Sequence, residues 1–189
     1  MAMKPRMPEI PAAQMTDAQK HVVAERAAGP IASIAGPAIP LLRSPELMRR
    51  MQRVGEHLRT HSAVGLRLHA LAILIAARHC TQQYIWDYWH PLALKAGLSL
   101  ELTQAIAEGR RPEGSVTDEG MLYDLVAELL TNKSVSDSTY DRAVAQFGEQ
   151  GIVDAVAAVG YFSTLAMVMN VARTPLPEGR SPALAPLAG

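Results

Sequence analysis

Apolar residues along this chain recur three and four positions apart. No segment sustains the two-residue alternation of a half-buried strand, so the pattern predicts an all-α protein. Hairpin words such as Asn-Gly and Asp-Gly are absent, whereas helix punctuation is frequent. Thr16 caps a helix running through Ala28 that stops at Gly29-Pro30. The stretch Gly29 to Pro40, rich in Gly, Pro and Ala, predicts an irregular connector. Ser44-Pro45-Glu46 supplies an N-cap, a proline at the first helical position and an acid where the helix dipole favours it. The helix it opens ends near Arg59 or Thr60. Leu66 to His79 is Ala/Leu/Ile-rich and long enough to be a buried helix rather than a strand. Gln82 to Ala96 predicts the next helix, closed by Gly97, and Ser99 begins a short one toward Glu108. After a loop from Gly109 to Ser115, Thr117 or Asp118 starts a helix to about Leu130. Ser136 or Asp137 starts another to Phe147, and Gly151 to Arg173 forms the last.

Composition narrows what such a bundle does. The 189 residues suffice for one well-packed domain. They divide into an N-terminal arm and helix (1–36), a helical domain (37–173) and a Pro/Ala-rich tail (174–189), extended or pinned on a neighbour. Lys+Arg and Asp+Glu both total 18, so the chain lacks the basic footprint of a nucleic-acid binder and the polybasic block of a membrane anchor. Zero net charge with 49% hydrophobic residues predicts a homo-oligomer. The single cysteine, Cys80, excludes an intramolecular disulfide and fits a reducing compartment. No apolar run follows the basic residues at the N-terminus, so the expectation is a cytoplasmic protein without a signal peptide. Ala155 to Ala172 carries no formal charge over 18 residues, the lower limit for a membrane span. Gly160, Ser163, Thr164 and Asn170 dilute it and no second such segment exists, so it reads as a buried central or interface helix.

Four words in order, IPLLRSPEL (39–47), RLHALAILIAARH (67–79), QYIWDYWHPLALKAGLS (83–99) and GYFSTLAMVMN (160–170), resemble the carboxymuconolactone decarboxylase family, which includes the alkylhydroperoxidase-D proteins. The resemblance runs from Pro37 to Pro177, about three quarters of the chain. It implies a multi-helix bundle, trimers or hexamers, and an active-site cavity between the two central helices near a subunit interface. The family's peroxidase pattern, Glu-x11-Cys-x2-Cys-x3-His, falls in this register on Ala70, Gln82, Ile85 and Trp89. The Glu, Glu and His of its decarboxylase-like branch fall on Ala70, Ile85 and Trp89. Every ionisable member is therefore replaced. Thiol peroxidase chemistry needs a thiolate and a resolving thiol, and neither position holds sulfur. Cys80, two residues before the first thiol position, would point about 160–200° away on a helix. Acid–base decarboxylation needs a proton carrier within hydrogen-bond reach, which Ala, Ile and Trp do not offer. The implied cavity is apolar and aromatic, closer to a ligand pocket.

Several residues are candidates for that cavity. Gln82, Ile85, Trp86 and Trp89 share one helical face by spacing and either line a pocket with Ala70 or pack as core. Tyr161, beside Phe162, closes one wall or packs likewise. His69 and His90 flank the emptied positions 70 and 89, rotated by about 100°, from where an imidazole could swing in as a base near neutral pH. Asp87, three residues before His90, is placed to orient it. His57 and His61 have the spacing for one metal ion but no third ligand, so neither metal nor cofactor is expected. The Arg110-Arg111 loop is either solvated or drawn to an anionic substrate or to Asp118-Glu119. Two functions stay open. One is a cofactor-independent lyase, decarboxylase or proton-transfer enzyme acting on a small aromatic or cyclic substrate. The other is a non-catalytic ligand-binding or structural protein; a concerted replacement of this kind also suits an engineered variant with non-natural activity.

Overall fold

The computed structural model describes residues 4–29, 33–113 and 117–186. Within them the protein is all-α, with a 3-10 turn at Ala12–Gln14 and no strand. The helices are α1 (Asp17–Ala27), α2 (Ala38–Leu41), α3 (Pro45–His61), α4 (Gly65–His79), α5 (Gln83–Lys95), α6 (Leu100–Ala107), α7 (Asp118–Asn132) and α8 (Asp137–Ala172). Their starts follow cap chemistry. Thr16 and Gln19 form a reciprocal capping box on α1. The hydroxyls of Ser99, Thr117 and Ser136 accept backbone N–H bonds from Leu102, Gly120 and Thr139. Ser44 departs from expectation: it occupies the N-cap of α3, but its side chain makes no capping bond, and Pro45 and Glu46 carry the start. The Asp137–Ala172 helix is bent where the sequence predicts a break, because Gly148 sits at φ 67°, ψ 170°, outside the helical region. Two arms result, 137–147 and 149–172.

The core forms around α4, which packs against α3, α5, α6, α7 and α8. Every side chain from Leu68 to Arg78 is buried, so this helix is enclosed on all faces. Short residues such as Ala70, Ala72, Ala76 and Ala77, each fully buried, let the surrounding helices approach closely. Arg67, at the start of α4, bonds both Asp118 and Glu119 at the start of α7. The Arg110-Arg111 loop therefore does not reach that acidic pair: Arg110 pairs with Glu108 and Arg111 with Asp124. The helix Asp137–Ala172 is the one described helix long and apolar enough to cross a membrane, and half of its most apolar stretch is buried within the protein.

The segments near both ends of the described residues lie on the bundle. The Arg6 amide donates to the Ala172 carbonyl at 2.8 Å, and Arg43 donates to the Pro8 carbonyl at 2.7 Å. At the other end the Gln83 side-chain amide accepts from Leu184 N at 3.0 Å and donates to its carbonyl at 2.7 Å. Arg78 donates to Ala185 O at 2.6 Å. The described part of the tail is thus fastened to α4 and α5 of its own chain, with its Leu184 buried against them.

Candidate functional site: an apolar chamber with a cationic pole

A chamber of about 190 Å³ opens between α3, α5 and α8, with the connector before α2 along one edge. Helix α3 contributes Met48, Met51, Gln52, Gly55 and Arg59, whose spacings of three and four place them on one face. Helix α5 contributes Tyr84, Ile85, Tyr88 and Trp89, and α8 contributes Tyr161, Phe162 and Leu165. The aromatic rings interlock edge to face: Trp89 meets Phe162 at 5.5 Å between centroids, and Tyr161 meets Phe162 at 5.2 Å. Gly55 makes room for this wall. A methyl group there would collide with the Tyr161 phenol, whose Cζ would stand 2.7 Å away.

At one pole the chemistry changes. Arg59 lies over the Trp89 ring, 5.1 Å from its centre, yet forms no ion pair and no hydrogen bond among the described residues, and its Nε is buried without a partner. Arg26, reaching in from α1, donates to Ser33 O at 2.8 Å and to Gln52 Oε1 at 3.4 Å. Burial lowers the pKa of the Arg26 guanidinium, and the neighbouring charge of Arg59 lowers it further. Burial raises the pKa of Tyr161, against the pull of Arg26 and Arg59, so its phenol is a neutral donor near neutral pH. Among the described residues, no Asp, Glu, His or Cys lines the chamber. Asp154, on α8, instead accepts the Ala63 amide at 2.7 Å.

The residues singled out from sequence separate into three groups. Ile85, Trp89 and Tyr161 are walls of the chamber. Ala70, fully buried on α4, is not; the chamber lies outside α4 rather than between α4 and α5. Gln82 and Trp86 do not line it either. The Gln82 side chain caps α5 by accepting from Tyr84 N at 2.6 Å and donates to Asn170 at 3.0 Å. Trp86 stacks on His90 at 5.5 Å. The helix is turned so that its chamber face centres on 84, 85, 88 and 89, which leaves Trp86, about 100° from Ile85, on another side. The expected pairing of Asp87 with His90 is not formed. Asp87 pairs with Arg180 at 3.2 Å, and His90 Nε2 meets Thr103 Oγ1 at 3.1 Å. His69 lies one layer behind the wall, edge-on to Trp89 at 5.7 Å and Phe162 at 6.0 Å, with both ring nitrogens buried and unbonded. His57 and His61 stack at 5.5 Å, and no group of three potential metal ligands converges among the described residues.

Arg26, Arg59 and Gln52 escaped the sequence reading. Arg59 had a signal: it continues the face that carries Met48, Met51 and Gly55, a charge set on an otherwise apolar stripe. Arg26 had none, since only the tertiary fold brings α1 to this place. Fold and site together define a helical bundle with a small aromatic-walled chamber whose described lining includes two arginines and no carboxylate. No family model matches the chain, and no curated protein is significantly similar to it.

Proposed function

We propose that this chain is a carboxymuconolactone decarboxylase-like protein that binds a small aromatic or cyclic molecule in the α3–α5–α8 chamber, without a cofactor, as a homo-oligomer. The carrying observation is the character of the walls: aromatic and aliphatic side chains make up most of the lining, and among the described residues no carboxylate, imidazole or thiol faces it. Such a site captures and orients a ligand far better than it moves protons. Its volume suits one ring, since an apolar cavity of about 150 Å³ already holds benzene. Benzyl alcohol is expected to raise the melting temperature in a saturable way, because a ligand that binds only the folded state stabilises it by mass action. Met51→Trp, which fills the chamber from a partly exposed position on α3, should abolish that shift while the far-ultraviolet circular dichroism stays unchanged. An equal shift in the filled variant would place binding elsewhere and defeat the reading.

A second reading, a cofactor-independent lyase or decarboxylase, rests on His69. Its imidazole is neutral, without a hydrogen-bond partner among the described residues, and packed edge-on against the Trp89 and Phe162 rings that line the chamber. A rotation of Trp89 on ligand entry would expose a base there. Turnover of a single-ring acid, followed by mass spectrometry and abolished in His69→Phe, supports it. Binding without turnover leaves the first reading standing alone.

A further inference from the structure

We infer that the chamber is built for an anion, and that its ligand is a single-ring carboxylate whose carboxyl group lies between Arg59, Arg26 and the Tyr161 hydroxyl. This rests on the chamber being a binding site and adds the class of ligand it takes. The argument begins with an imbalance. Two guanidinium groups belong to one small chamber, and among the described residues no acidic side chain lines it. Arg26 spends two of its five donors on the neutral oxygens of Ser33 and Gln52. Among the described residues Arg59 has no partner but the face of Trp89. An ionised group held partly out of water without a counter-charge costs the fold free energy, and a protein tolerates that most readily where a ligand supplies the missing charge.

The donors are also arranged for the task. Arg59 is held over the Trp89 ring, 5.1 Å from its centre, and a planar guanidinium there can offer paired N–H groups to the two oxygens of a carboxylate. Arg26 stands nearby as the second cation, held by its two hydrogen bonds. The Tyr161 hydroxyl, neutral and without a hydrogen-bond partner among the described residues, donates and has no competing use. Gln52 accepts from Arg26 through Oε1, which leaves its amide N–H groups to donate as well. Most of the remaining wall, from Met48 and Ile85 to Phe162 and Leu165, is apolar and suits a hydrocarbon ring. The volume selects one ring over a long acyl chain.

Calorimetric titration of the intact chain with benzoate and with benzyl alcohol, its neutral counterpart of like size, tests this. Benzoate should bind at least about tenfold more tightly. In Arg59→Met that preference should fall to about onefold while benzyl alcohol still binds, and Arg59→Lys should restore part of it. Tyr161→Phe offers an independent check should the arginine variant fail to fold; a smaller loss of benzoate preference is expected there. Equal affinities for the two ligands in the wild type, or a preference unchanged in Arg59→Met and Tyr161→Phe, overturn the inference and leave the chamber reading intact. Absence of binding by both ligands in the wild type overturns the chamber reading, and the inference with it. Octanoate binding as tightly as benzoate would refute the single-ring class while upholding the anion site.

Discussion

His69 illustrates how one side chain can carry both the oddity of a site and a measurable consequence for the whole fold. It is 1% exposed with neither ring nitrogen bonded, and burial first, then the charge of Arg59, hold its pKa at about 4, with Asp154 opposing. An unfolded chain protonates its histidine near pH 6.5, so between about pH 6.5 and 4 the unfolded state binds the proton and the folded state does not. Stability therefore falls as pH falls through that window, levels off below about pH 4, and is unaffected by His69 above about pH 7. The whole loss amounts to about 3 kcal/mol. Urea denaturation at pH 7 and pH 4.5 should show a marked drop in midpoint for the wild type. His69→Leu, which fills the same apolar site without a titrating group, should flatten it. A His69→Leu profile that overlays the wild-type curve would disprove this account of the acid sensitivity.

Between α3 and α8 the decisive contact is a glycine against a phenol. Glycine within a helix is about 1 kcal/mol less favourable than alanine, so Gly55→Ala in an open helix would stabilise. Here the added methyl meets the Tyr161 ring, and either the ring or the helix must give way. Gly55→Ala is expected to lower the melting temperature rather than raise it. It should also weaken benzoate binding several-fold more than benzyl alcohol binding, because the displaced hydroxyl leaves the cationic pole. A variant more stable than wild type with unchanged benzoate affinity would show that Tyr161 has no fixed seat on Gly55. The same contact marks how far the sequence could be read. The longer helices, the caps at Thr16, Ser99 and Ser136 and the break after Phe147 were legible because each depends on neighbours within a turn or two of chain, whereas the short α2 forms partly within the stretch Gly29 to Pro40 expected to be an irregular connector. The burial of Leu68 to Arg78 was legible from its unbroken apolar run. The chamber was only half legible. Ile85, Trp89 and Tyr161 were named, but periodicity sets a face to within one residue, so Gln82 and Trp86 were assigned to it in place of Tyr84 and Tyr88. Asp87 was given to His90 by spacing on one helix, whereas Arg180 of the tail, distant in sequence, takes it. Contacts made by chain segments far apart, Arg26 with Gln52 among them, leave no local pattern.

For the molecule as a whole, the outward side of the 149–172 arm is the surface that least resembles a boundary with water. Val153, Val156, Met167 and Val171 are 64%, 40%, 56% and 57% exposed, and Ala157, Gly160 and Thr164 lie exposed along the same stripe. Their spacing of three, four and seven keeps them on one side of the helix, and none of them carries a charge. Contiguous apolar surface of this kind marks contact sites, and with no net charge on the chain nothing repels a second copy. Short residues at the middle of the stripe would let two such helices approach closely, so self-association through this face is the expected assembly. Gly160 offers a clean test, because a Cβ placed there meets nothing within 4 Å and a larger side chain leaves the fold of the single chain undisturbed. Light scattering coupled to size exclusion should give the wild type a mass that is a multiple of the 20.4 kDa chain. Gly160→Glu, which sets like charges against each other across the contact, should give 20.4 kDa with an unchanged helical spectrum. A monomeric wild type removes the case for assembly. A Gly160→Glu protein that stays oligomeric moves the interface to another face, for which the exposed Leu47 and Val54 of α3, at 49% and 48%, are the next surface to alter.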